Sequence, residues 1–85
     1  MKKRIGFIGI VIENKQQVPL VNEIIGKYSD MITGKIGVPN QEDGTAVIGL
    51  IIRGTTDRVG AFTGRLGSLD GVVCKSALTS KETED

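Results

Sequence analysis

Eighty-five residues carry 11 Lys+Arg against 10 Asp+Glu, a formal net charge of +1, with one cysteine and no histidine. A chain this short makes one domain of modest stability, and balanced charge argues against a dedicated nucleic-acid or membrane-surface binder, which needs a basic excess. A disulfide framework, a CxxC redox pair and a zinc site each need more ligands than Cys74 supplies, so no metal and no cofactor is expected.

The first strand is expected from about Arg4 to Glu13, almost continuously apolar as in a strand covered on both faces. Lys2-Lys3-Arg4 reads as its solvated start. The apolar run Ile5 to Ile12 falls short of the ~18 residues of a membrane span. It lacks a small-residue cleavage site, so it reads as a central strand rather than a signal segment. Asn14 ends it, and Gln17 three residues on makes a capping-box variant in which the amide oxygen accepts from a backbone N–H. The first helix then runs from about Gln16 to Tyr28, because Pro19 is tolerated only in a first turn.

The second strand, Asp30 to Val38, is weaker, since Gly34 and Gly37 mark a bulge, an edge or a close approach. Lys35 suits an edge strand, where lysine discourages edge-to-edge pairing. Pro39 to Gly44 is a hairpin loop turning at Asp43-Gly44. The third strand spans Thr45 to Arg53, Gly54 breaks it, and Thr55 or Thr56 caps a second helix reaching about Leu69. Gly60, Gly64 and Gly67 cost that helix roughly 2–3 kcal/mol relative to alanine, which points to close packing or an irregular end. Asp70-Gly71 turns into the fourth strand, Val72 to Leu78. Cys74 alternates within it and reads as a buried, inert thiol compatible with a cytosolic setting. The domain is expected over 1–79, and 80–85, with no apolar residue, as a disordered tail.

One unit is written twice. Ile8-Gly9-Ile10-Val11-Ile12 recurs forty positions on as Ile48-Gly49-Leu50-Ile51-Ile52. Each copy precedes a helix-period pattern: Val18, Val21, Ile25, Tyr28 and then Val59, Phe62, Leu66, Leu69. The order β-α-β-β-α-β is the ferredoxin-like unit. The fold class is therefore α+β, a sandwich of an antiparallel four-stranded sheet with two helices on one face. Such a superfold names no function. The first and third strands are expected as its central pair, adjacent and parallel to each other, with right-handed crossovers placing both helices together.

Alternation sends Ile8, Ile10, Ile12, Ile48, Leu50 and Ile52 toward the helices. Phe7, Val11, Val47 and Ile51, with Gly9 and Gly49, then face water in a lone protomer. Those four side chains are worth roughly 1.5–3 kcal/mol each when fully buried, about 6–12 kcal/mol together, against about 5–15 kcal/mol for a whole small domain. The expectation is a homo-oligomer, dimer or tetramer, joined through Phe7, Val11, Val47 and Ile51.

Parallel neighbours would bring Glu13-Asn14-Lys15 and Arg53-Gly54-Thr55-Thr56-Asp57 to one sheet edge. Ligands favour the carboxyl ends of strands, and helix starts offer N–H groups to anions. Asn14, Arg53 and Thr56 are accordingly the candidate ligand-binding residues. The plainer alternative is that Asn14 and Thr56 are caps and Glu13–Arg53 a surface ion pair worth little. Gly6-x-x-Gly9 lies inside a strand and is no nucleotide fingerprint. Without histidine, paired carboxylates near an apolar pocket or a serine beside a base, no catalytic residue is expected and the chain reads as no enzyme.

Three stretches carry a resemblance: Ile8-Gly9-Ile10-Val11-Ile12-Glu13-Asn14, Ile32-Thr33-Gly34-Lys35-Ile36-Gly37-Val38-Pro39 and Gly64-Arg65-Leu66-Gly67-Ser68-Leu69-Asp70-Gly71-Val72. Together they resemble a family of small proteins known as iron-only hydrogenase system regulators, over about Ile5 to Leu78. The resemblance implies an ACT-like fold, similar to the effector domain of the nickel-responsive regulator, association through sheets, and a bacterial, cytoplasmic role in transcription regulation. Nickel sensing needs His and Cys ligands, so the nickel function is not expected here. No ribbon-helix-helix or helix-turn-helix segment is present, so nucleic acid is not an expected direct partner. The expected function is a non-enzymatic, oligomeric regulatory module of a hydrogenase-related system, sensing a small metabolite or binding a protein partner. The alternatives are an assembly protein without a ligand and a DNA-binding transcriptional regulator.

Overall fold

Each half of the repeat folds as strand, helix, strand. The computed structural model describes residues 2–84, and Met1 and Asp85 lie outside them. The strands are β1 (Lys3–Ile12), β2 (Ile32–Val38), β3 (Ala46–Gly54) and β4 (Val72–Thr83), with helices α1 (Val18–Lys27) and α2 (Thr56–Gly67). They form one four-stranded sheet in the order β2-β3-β1-β4, with every neighbouring pair antiparallel. This is the ferredoxin-type βαββαβ sandwich.

Asn14 leaves β1 in extended backbone, and its side chain accepts from the Gln16 N–H at 3.0 Å, starting a 3-10 turn over Lys15–Gln17. The reciprocal half of the capping box does not form, because the Gln17 amide donates instead to the Asp70 carbonyl at 3.0 Å. Pro19 sits in the first turn of α1, where its missing N–H has no partner to lose. A second 3-10 turn, Ser29–Met31, replaces the expected start of β2. Thr55 caps α2 by accepting from the Arg58 N–H at 3.3 Å.

Both helices cover the same sheet face. Ile8, Ile10, Ile12, Leu50 and Ile52 are fully buried there against Val21, Phe62 and Leu66, with Ile24, Ile25, Ile48 and Val59 completing the core. Gly71 joins this layer to β4 at φ +77°, and a Cβ there would meet the Asn14 Cβ at 2.7 Å. That close approach, besides the positive φ, makes the position a glycine.

Three expectations change. The central strands β1 and β3 are antiparallel, not parallel: Arg4 pairs with Gly54 at one end and Ile12 with Ala46 at the other. The crossover through α1 returns β2 parallel to β1, and the hairpin then reverses β3. Next, β4 runs on to Thr83 where a disordered tail was expected from residue 80. A bulge allows this, two steps of β1 from Arg4 to Gly6 spanning four of β4 from Glu82 to Leu78. Arg4 then lies 3.6 Å and Lys2 3.9 Å from the Glu82 carboxylate. Finally, no close packing explains the α2 glycines, for a Cβ on Gly60, Gly64 or Gly67 would meet nothing within 4 Å.

Candidate functional site

The sheet face away from the helices has no cover in the protomer. The ladder arranges its side chains in rows across the strands: Val38, Val47, Val11 and Val73 in one, Gly34, Ile51, Phe7 and Ala77 in another. Between them run Ile36, Gly49, Gly9 and Lys75. Phe7 is 47% exposed, Ile51 51% and Ile36 69%, values that belong to a solvent-facing surface rather than to a core. The paired glycines shape its centre. A Cβ on Gly49 would sit 2.7 Å from Phe7 Cζ and 3.2 Å from Ile36 Cγ2, so the missing side chain lets Phe7 and Ile36 close over β3.

Phe7, Val11, Val47 and Ile51 therefore stand together on one open face, as their alternation requires. Ile5, Ile36, Val38 and Val73 extend the same patch and escaped the sequence reading. Alternation in β2 and β4 could have found the last three, had those outer strands been given faces.

Asn14, Arg53 and Thr56 do not meet within one protomer. Arg53 pairs with Ile5, whereas Asn14 follows the far end of β1, which at about 3.4 Å per residue puts them on the order of 30 Å apart. A Glu13–Arg53 ion pair is excluded by the same separation. Asn14 is occupied by its cap and by Gly71. Arg53 Nε donates to Thr83 Oγ1 at 3.1 Å and its Nη2 to the Glu84 carbonyl at 2.6 Å.

At the Arg53 end, Lys3, Asp30, Met31, Arg53, Gly54, Thr55 and Arg58 surround a cavity of about 250 Å³; Thr56 is one position outside it. Arg58 grips Asp30 through both guanidinium Nη atoms and lies 5.3 Å above the Tyr28 ring, which itself packs 4.9 Å from Phe62. The hydrogen bond from Arg58 holds the Asp30 carboxyl below the usual carboxylate range and raises the guanidinium in turn. This pair, 28 residues apart, had no signal in the sequence. Cys74 pairs with Ile10 on the helix side and packs against the core, where burial pushes its thiol up.

Against this geometry, the profile of the TM1266-like family, described as "Iron-only hydrogenase system regulator, putative", matches residues 4–76. The chain belongs to that family. Among solved structures, TM1266 from Thermotoga maritima superposes with a TM-score of 0.84 at 31% identity, over 89% of this chain and 96% of that one. The apo form of CPII from Thiomonas intermedia K12, a nitrogen regulatory PII-like protein, gives 0.57 at 12% identity, over 99% and 98%. CPII bound to ADP, AMP and bicarbonate gives 0.51 at 14%, over 95% and 98%. At such identities the CPII structures share the fold with this TM1266-like chain and nothing finer. No curated protein matches.

Proposed function

We propose that this TM1266-like chain is a non-enzymatic regulatory module of a hydrogenase-related system, working in the cytoplasm as a homo-oligomer, dimer or tetramer, with a small metabolite or a protein partner as its input. The observation that carries this reading is the uncovered sheet face. The half of a side chain such as Phe7 that stays in water adds nothing to the protomer, whereas a second copy laid on the same face buries that half in both copies. The charged side chains at paired positions of that face, Lys3, Arg53 and Lys75, lie at its margins and leave the centre apolar.

A regulatory rather than catalytic role is supported by the chemistry on hand. The chain has no histidine, its one thiol is turned into the helix layer, and hydrogen bonds from Arg58 and from the Thr45 N–H hold the Asp30 and Asp43 carboxyls below the usual carboxylate range, away from general acid–base use near neutral pH. CPII, which shares the fold, is solved bound to ADP, AMP and bicarbonate, so the fold is compatible with ligand input. Among the described residues no helix is long and apolar enough to cross a membrane.

Sedimentation velocity at micromolar concentration tests the assembly, and a monodisperse monomer refutes it. In a host carrying the gene, its deletion is expected to alter hydrogenase levels, and a variant that folds but cannot assemble should copy the deletion. Hydrogenase levels that ignore the deletion refute the regulatory role.

A further inference from the structure

Gly37 is a strand glycine that neither a turn nor close packing accounts for. Its φ is not positive, the β2 bulge falls earlier, between Ile32 and Gly34, and a Cβ on Gly37 would meet nothing within 4 Å. It pairs with Ile48 on the helix side of the sheet, beside α1. The space left there is a solvent-open cavity of about 200 Å³, walled by Ile12, Val18, Ala46 and Ile48 and bordered toward the hairpin by the exposed chain at Val38 and Pro39. Lys15 donates to Asn40 Oδ1, tying the hairpin loop to the turn before α1.

Two polar side chains stand at the rim of this otherwise apolar space, Asn22 from α1 and Lys35 from β2, both exposed to solvent. Neither makes a hydrogen bond or ion pair with another side chain among the described residues, and no carboxylate lines the cavity. An apolar hollow with one cation and one amide is complementary to an aliphatic body ending in an anion. Its volume equals roughly seven waters at ~30 Å³ each, which suits a ligand of about six to eight non-hydrogen atoms.

We propose that the cavity between α1 and β2 binds a small aliphatic monocarboxylate, its chain against Val18, Ala46 and Ile48 and its carboxylate held by Lys35 and the Asn22 amide. An amine end finds no acidic partner there, and a neutral end leaves the ammonium unused. Glycine at position 37 is then the strand residue that lets a ligand approach the backbone. The proposal deepens the regulatory reading and rests on its ligand-input half, naming the class of effector; it does not depend on the sheet face.

The test titrates isotope-labelled protein with isovalerate, isovaleramide and isopentylamine, following backbone amide shifts. Isovalerate should give saturable shifts at Val18, at residues 35–38 and at residues 46–48, with the amide and the amine at least about tenfold weaker, as expected when a charge-assisted contact is lost. Lys35→Met should bring isovalerate down to the level of the amide. Gly37→Val, which fills the hollow, should abolish binding of all three while leaving the thermal melt intact; if that variant fails to fold, Lys35→Met decides. The absence of saturable shifts, shifts centred elsewhere, an amine that binds as well as the acid, or a Lys35→Met variant that binds like the wild type each overturns the proposal. Sedimentation of the ligand-free protein reads the assembly separately, so the two readings can fail independently.

Discussion

Replacing Phe7 and Ile51 together by serine removes the middle of the open face while leaving the helix-side core untouched. Phe7 keeps 47% of its surface in water and Ile51 51%, so an interface has about half of each side chain left to bury. At roughly 1.5–3 kcal/mol for complete burial, that half is worth about 1.5–3 kcal/mol per protomer for the pair. A two-fold interface counts it twice, giving about 3–6 kcal/mol, or a weakening of self-association by roughly a hundredfold to ten-thousandfold. Sedimentation equilibrium over a concentration series measures this directly. Leu20 supplies the control: it is also 47% exposed but lies on α1, and Leu20→Ser should leave assembly unchanged. Equal dissociation of the Leu20 variant, or a Phe7/Ile51 double variant that associates like the wild type, would show that burial of the sheet face is not what joins the protomers.

Gly60→Ala and Gly64→Ala should each stabilise the protein by up to about 1 kcal/mol in urea unfolding, since both lie inside α2 with open space around them. Gly71→Ala should instead cost about 1–3 kcal/mol, because its φ of +77° and the Asn14 Cβ at 2.7 Å both oppose a side chain. Burial raises the Cys74 thiol, so alkylation at mildly alkaline pH should be slower in native than in unfolded protein; equal rates would contradict the packing of β4 on the helix layer. The Asp30 carboxyl is depressed by Arg58, so its contribution is complete above the ordinary carboxylate value of about 4 and is lost as pH falls through the lower folded value. The stability gap between wild type and Asp30→Asn should therefore close as pH falls through that lowered folded value, and shrink in high salt because the pair is exposed. A gap that persists in acid would rule out the ion pair as its source.

Much of this architecture was legible because apolar side chains repeat with the period of the element that carries them. The isoleucines of β1 and β3 fall on one face, and Val59, Phe62 and Leu66 fall on one stripe of α2. Local chemistry was equally readable at Asp43-Gly44, where Gly44 takes φ +87° and the Asp43 carboxylate accepts from the Thr45 N–H at 2.9 Å. The candidate ligand residues were not legible as a group. Asn14, Arg53 and Thr56 each sit near a helix start, but a helix start says nothing about which end of the sheet it occupies. The cavity beside Gly37 left only an unexplained glycine in the sequence, since its walls come from α1, β1, β2 and β3 together.

What the sequence by itself determined is which residues turn inward and which outward, including an apolar patch, Phe7, Val11, Val47 and Ile51, that neither α1 nor α2 covers. Only the tertiary structure decided direction and reach. A period of two reads the same along a strand in either sense, so the antiparallel pairing of β1 with β3, and with it the separation of Asn14 from Arg53, comes from the order of crossover and hairpin. The polar segment after Leu78 has no periodicity to read, and it becomes strand only because the backbone of Lys3 and Arg4 offers it a ladder to complete.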